Sequence, residues 1–231
     1  MKYLKLFLAA IVLMSGCAKH EEAPSPQTAQ PEPTAQTDGD IYQIMPDMTA
    51  DPAAGSEPVT ITNAVDLEVL YDHPDMSGYQ WLTDPEPAFV EISLKESIRM
   101  FSEGGSGILY YGRTGCHWCQ RAVPVLNQIA KEKGVTVYYV NVGSPISDDP
   151  AQGRLIYDTL CSYIDVIFEV ENGERIFQIP EVISVKNGEI MGHKLSLTDG
   201  FEIVDENSQM NEEQTEELRN IYRLLMNLAA D

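Results

Sequence analysis

Basic residues are scarce in this chain. Fifteen Lys and Arg face 36 Asp and Glu over 231 residues, for a formal net charge of −21 at pH 7. That balance argues against nucleic acid and anionic membrane surfaces as electrostatic partners and describes a solvated acidic surface. Long hydrophobic runs are missing too. Leu6–Met14 is uninterrupted but far below the ~20 residues a membrane-spanning helix needs. Cysteines number four, Cys17, Cys116, Cys119 and Cys161. An exported domain stapled by disulfides carries more of them, at wider spacing. There is no second C-x-x-C and no H-x-x-x-H, so zinc lacks its four ligands, and no metal or other cofactor is expected. Gln120 follows the second cysteine of the one C-x-x-C, where covalent haem requires His. No internal repeat is present.

What is there begins at the N-terminus. Lys2 and Lys5 precede Leu6–Met14, and Ser15-Gly16-Cys17 follows. This order resembles a bacterial lipoprotein signal, which implies removal of residues 1–16, lipidation of Cys17 and a lipid-anchored protein of the bacterial cell envelope facing outside the cytoplasm. Such signals usually carry Leu three places before the cysteine, where this chain has Met14, with Leu13 one place further back. An ordinary secretory peptide with an incidental cysteine is the competing reading. Residues 17–58 are rich in Pro, Ala, Gln, Thr and acid, with little to bury, and read as a disordered tether. Residues 59–88 are interrupted by Gly, Pro and Asp and read as an irregular extension packed on a domain spanning 89–231. The apolar fraction of 43 % suffices for a core.

Regular patterning starts at Phe89-Val-Glu-Ile92, a short strand. Ser93-Leu-Lys-Glu96 has the form of a capping box and predicts a helix from Leu94 to about Glu103, stopped by Gly104-Gly105. Gly107–Tyr111 reads as a buried central strand. A helix over Cys116–Lys133 turns Ala122, Val123, Leu126, Ile129 and Ala130 inward and ends at Gly134. Val135–Val142 is the next strand, parallel to the previous one through the helical crossover. A helix from about Pro150 to Tyr163 follows, then a hairpin within 164–177 with Asn172-Gly173 at its turn. Glu181–Val185 and Glu189–Leu197 flank a turn at Lys186-Asn187-Gly188, and Asn211–Ala230 is amphipathic.

Gly115-Cys116-His117-Trp118-Cys119-Gln120 carries the chemistry. With Cys116 at a helix N-terminus, unpaired backbone N–H groups and the helix dipole favour the thiolate, which is the nucleophile in thiol exchange. A purely structural disulfide is the competing reading. Strand, C-x-x-C helix, strand, then Ile179-Pro180 and a hairpin with Asn187-Gly188 is similar to the thioredoxin superfamily, as is Pro124 eight residues after Cys116. Leu109-Tyr-Tyr-Gly-Arg113 also resembles, more distantly, bacteriocin-transport accessory proteins. The resemblance covers about Phe89 to the C-terminus. It implies an α/β, thioredoxin-like fold with a central mixed sheet flanked by helices, and a helix and hairpin inserted before a cis Pro180. The chain departs from the family at Gly115 for Trp, at His117-Trp118 for Gly-Pro, and at Tyr110 for a buried Asp.

The function implied is thiol–disulfide exchange with extracytoplasmic client proteins and a separate redox partner. Cys116 attacks and Cys119 resolves. A positive charge on His117 would stabilise the thiolate, and Trp118 would shield the site or touch the client. Ile179 would hold an extended client strand by its backbone. A trans Pro180 opening an edge strand is the alternative there. Cys161 reads as a buried inert thiol or a third redox cysteine. Tyr110 and Tyr111 read as core strand residues, and His73 and His193 carry no assigned role. A non-catalytic accessory or interaction module of an export or assembly system is the alternative function.

Overall fold

The computed structural model describes residues 45–171 and 174–231. The signal segment 1–16, Cys17, the tether up to residue 44 and the Asn172-Gly173 turn lie outside the described residues. Among the described residues no helix is long and apolar enough to cross a membrane.

The protein is α/β, with a six-stranded mixed sheet flanked by helices on both faces. In chain order come β1 (Val69–Tyr71), β2 (Phe89–Ile92), α1 (Leu94–Ser102), β3 (Gly107–Gly112), α2 (His117–Lys133), β4 (Val137–Asn141) and α3 (Pro150–Ile164). A 3-10 turn at Asp165–Ile167 leads to the two-stranded ribbon β5 (Glu169–Glu171) and β6 (Glu174–Ile176). Then follow β7 (Glu181–Lys186), β8 (Glu189–Leu195) and α4 (Glu212–Ala229). The sheet order is β1-β2-β4-β3-β7-β8. β2, β4 and β3 run parallel, while β1, β7 and β8 pair antiparallel to their neighbours.

The connection β2-α1-β3 steps across β4, and β3-α2-β4 steps back. Crossovers of one hand in opposite directions place their helices on opposite faces of the sheet. Alternation along β3 serves both faces. Ile108 and Tyr110 join α2 and α4 in one core, and Leu109 and Tyr111 join α1 and α3 in the other. Every residue of β3 is buried. Burying one such aliphatic side chain stabilises by roughly 1.5–3 kcal/mol.

Helix ends follow local chemistry. Ser93 caps α1 by accepting the Glu96 N–H at 3.1 Å. The Glu96 carboxylate does not close the box; it accepts instead from the Glu68 N–H at 2.9 Å and from Arg99 at 2.7 Å. Gly134 ends α2 in the left-handed region (φ 67°), and the Val135 N–H folds back to the Ala130 carbonyl at 2.8 Å. That bond keeps Val135 out of the ladder, so β4 starts at Val137, two residues later than the sequence pattern suggests. Asn211 and Gln214 form a complete capping box on α4.

The N-terminal boundary differs from expectation. The tether was to run to residue 58, yet residues 45–58 pack on the domain. The Met48 N–H donates to the His193 carbonyl (2.9 Å), and the Asp47 carboxylate accepts from the Leu195 N–H (2.8 Å) and Lys194 (2.6 Å). β8 is an edge strand with unpaired backbone groups, and this segment pairs them. Composition alone hides such a strap because it buries little of its own. Within 59–88, expected to be irregular, β1 adds a short, exposed edge strand to β2.

The β7–β8 turn places Asn187 at φ 53° and Gly188 at φ 82°. A Cβ on Gly188 would lie 2.5 Å from the Phe101 carbonyl oxygen, while the Gly188 N–H already donates to Gly105 at 2.7 Å. Gly188→Ala therefore meets both a left-handed backbone and an immovable carbonyl. Urea unfolding should show a loss of at least ~1 kcal/mol; an unchanged midpoint would contradict this packing.

Candidate functional site

β3 ends at Gly112, and four residues later Cys116 occupies the N-cap of α2 in an extended conformation (φ −94°, ψ 118°). The sequence pattern started the helix at Cys116, and the helix begins one residue later, at His117, with Cys116 as its cap. That position lets its side chain do what Ser or Asp does at other caps. Cys116 Sγ accepts the Cys119 N–H at 3.1 Å. From the other side the Cys116 thiol reaches the Ile179 carbonyl, at 3.8 Å. The Ile179-Pro180 bond is cis. Cys116 is partly exposed and Cys119 fully buried.

The two thiols differ electrostatically. The hydrogen bond from the Cys119 side chain is the largest influence on Cys116, and burial opposes it. The Cys119 and Trp118 backbone N–H groups and the Arg113 charge reinforce it, so the Cys116 thiol is lowered to about 7. Burial, then the adjoining Cys116, pushes the Cys119 thiol far up. The arrangement separates an accessible nucleophile from a protonated partner one turn deeper.

No family model matches this chain.

The surroundings fix the pair in place. Gln120 accepts the Gln80 N–H at 2.6 Å and donates to the Gly78 carbonyl at 2.8 Å, pinning the 76–82 segment to α2. The buried Arg121 guanidinium donates to the carbonyls of His117 (2.7 Å), Ser208 (2.7 Å) and Glu206 (2.9 Å), with the Trp81 ring 4.5 Å from its centre. It thereby holds the loop that follows β8 beside the site. Phe201 from that loop meets Trp118 edge-on at 6.1 Å, and Trp118 stays 36 % exposed at the rim. A cavity of about 720 Å³ opens next to Ile179, lined also by Arg113, Asn141, Ile146, Tyr157 and Phe177.

The structure thus brings together Cys116, Cys119, Trp118, Ile179 and Pro180. The His117 side chain is exposed, and its carbonyl rather than its ring is engaged, by Arg121. Cys161 is buried on α3 in the core on the other face of the sheet, away from Cys119. His73 is exposed. Tyr111 is a core residue of β3, and Tyr110 sits beside Cys119.

His193, which carried no assignment in the sequence, lies in a buried cluster. Its Nε2 donates to the Met45 carbonyl at 3.0 Å, because a carbonyl can only accept. Its Nδ1 faces Glu181 at 3.1 Å and Asp47 at 3.4 Å. With Nε2 protonated, the Nδ1–Glu181 contact needs one further proton, held by either partner. Burial pushes Glu181 up to about 7, against the pull of His193. For His193 burial acts downward, but the Glu181 hydrogen bond and the Glu181 and Asp47 charges raise it overall. A local signal existed: Glu181 and His193 fall on one face of a predicted hairpin rich in Val and Ile.

Both groups bind a proton more tightly folded than unfolded. Their contribution to stability is therefore complete at low pH and declines as pH rises, for Glu181 from 4.5 toward about 7. Glu181→Gln should flatten the fall in unfolding free energy across that window, measured by urea titration at several pH values. An equally steep fall in the variant would contradict the shared proton.

Proposed function

We propose that this chain has a thioredoxin-like fold and acts as a membrane-anchored, extracytoplasmic thiol–disulfide oxidoreductase. The observation that carries the reading is the Cys116 cap, an accessible sulfur that accepts the Cys119 N–H with the Ile179 carbonyl alongside. The mixed sheet, the cis Ile179-Pro180 bond and the helix and ribbon between β4 and Pro180 support the fold assignment. The Lys2/Lys5, Leu6–Met14 and Ser15-Gly16-Cys17 order supports export and lipidation at Cys17.

In the reaction, Cys116 thiolate attacks one sulfur of a client disulfide. The client S–S bond breaks, its electron pair leaves on the second client sulfur, and a mixed disulfide forms. Cys119 then loses its proton and attacks Cys116 Sγ. The mixed disulfide breaks, and the client departs reduced while the Cys116–Cys119 pair is oxidised. The reverse sequence donates a disulfide. Clients would meet the Trp118–Phe201 rim and lie along Ile179, and a separate redox partner would return the pair to its starting state.

The exposed Val69, Leu70 and Tyr71 on edge strand β1 favour a second reading, a non-catalytic interaction module that binds a partner by strand addition. The two readings part on one variant. Purified protein should accelerate insulin reduction by dithiothreitol, or oxidise a reduced client, and Cys116→Ser should return the rate to the uncatalysed level. No activity in either direction with the pair intact would overturn the oxidoreductase reading, and full cellular function of Cys116→Ser would favour the second.

A further inference from the structure

The exchange chemistry leaves one proton unaccounted for. Cys119 must lose it before attacking Cys116, yet Cys119 is fully buried. Among the polar groups that bond its sulfur is the Tyr110 hydroxyl, which shares the same core with it. Tyr110 Oη in turn lies 3.2 Å from Tyr79 Oη, and Tyr79 donates to Tyr139 Oη at 3.2 Å. All three tyrosines are buried, and the Tyr110 and Tyr139 rings stack at 5.4 Å.

The donors set a direction. A tyrosine has one hydroxyl hydrogen, and that of Tyr79 goes to Tyr139. In the Tyr79–Tyr110 contact Tyr110 must then donate. Once Cys116 is held in the mixed disulfide, the Cys119 S–H that donated to its thiolate is released, and the Tyr110 oxygen is left to accept it. From Tyr110 onward the hydrogen bonds run away from Cys119, Tyr110 to Tyr79 and Tyr79 to Tyr139. Beyond Tyr139 stands Glu91, its neighbour in the β2–β4 register, on the same face of the sheet and partly open to solvent.

The fold makes room for this chain at two places. A Cβ on Gly112 would lie 2.0 Å from Tyr110 Oη, so a side chain there would displace the hydroxyl. Tyr79 comes from outside the α/β unit, and Gln120, bonded to Gly78 and Gln80 on either side of Tyr79, ties its segment to the helix that carries Cys119.

Resting on the exchange reading above, we propose that Tyr110, Tyr79 and Tyr139 form a proton relay that carries the Cys119 proton out toward Glu91 as Cys119 attacks Cys116. The Cys119 S–H bond breaks and its proton goes to Tyr110 Oη. Tyr110 passes its own proton to Tyr79, Tyr79 to Tyr139, and Tyr139 to the Glu91 carboxylate or water at the sheet edge. Each tyrosine ends neutral, and the Cys119 thiolate supplies the electron pair for the new S–S bond. Burial raises Tyr110 and Tyr79, and burial first of all takes Tyr139 to about 12, so none of them is a standing base and a concerted shift is the route that avoids a buried tyrosinate.

Stopped-flow reaction with dithionitrobenzoate tests this in the full chain carrying Cys17→Ala. The first thionitrobenzoate is released when Cys116 attacks, and the second when Cys119 resolves the mixed disulfide. Tyr110→Phe and Tyr79→Phe should each slow the second release by at least ~100-fold, the low end of general acid–base contributions. The first release should change by less than ~2-fold, and the solvent deuterium isotope effect on the second should differ from that of the unsubstituted chain. Tyr222→Phe is the control. Its buried hydroxyl packs in the same core but has no hydrogen-bond partner among the described residues, and both releases should be unchanged. A normal second release in Tyr79→Phe would overturn the relay, even if Tyr110→Phe were slow or failed to fold. Equal slowing in Tyr222→Phe, or of both releases together, would do the same. Absence of both releases before any tyrosine is changed would instead overturn the exchange reading, and the relay with it.

Discussion

The hydrogen bond from the Cys119 N–H to Cys116 Sγ is the constraint on which the rest of the site depends. It makes a cysteine the cap of α2, sets the accessible sulfur over the end of the helix dipole, and puts the second cysteine one turn inward. The Cys119 thiol donates to the same sulfur and couples the two groups. What lowers one raises the other, and burial, the larger influence on Cys119, completes the asymmetry between an exposed nucleophile and a buried proton holder.

The sheet supplies the precision that this bond needs. β3 is covered on both faces, so its C-terminal end, from which Cys116 follows, moves little relative to α2 and α4. β7 pairs with β3 antiparallel and starts immediately after Pro180, which carries the Ile179 carbonyl to the sulfur. Arg121 and Gln120, on the turn of α2 after the cysteines, gather two chain segments from far away in sequence around the pair. The site is thus assembled from the end of β3, the start of α2, the approach to β7, and segments before β2 and after β8.

Much of the α/β pattern was legible because it is local. Phe89–Ile92 is β2 residue for residue, Ser93 and Gly134 mark the helix ends they announce, and Asn187-Gly188 has the positive φ values of its turn. The pairing of Cys116 with Cys119 and the approach of Ile179 to Cys116 were also readable, the first from spacing and the second from the family resemblance. What escaped depends on contacts distant in sequence. Met45 and Asp47 meet His193 and Lys194 across almost 150 positions, and Tyr79 meets Tyr110 and Tyr139 from a segment with no periodicity. Tyr110 looked like any core strand residue, because nothing in β3 alone says that its hydroxyl faces a thiol. His117 was placed by its adjacency in sequence, whereas the cap geometry turns the sulfur toward backbone N–H groups and leaves the imidazole exposed.

The central claim is that the cap makes Cys116 a thiolate near neutral pH. The rate of Cys116 alkylation by iodoacetamide as a function of pH tests it most directly. The rate should rise with a midpoint at about 7, the value to which the Cys119 hydrogen bonds and the Arg113 charge lower the thiol. A midpoint at the ordinary thiol value of 9.0 would show that the cap does not activate the sulfur and would contradict the account.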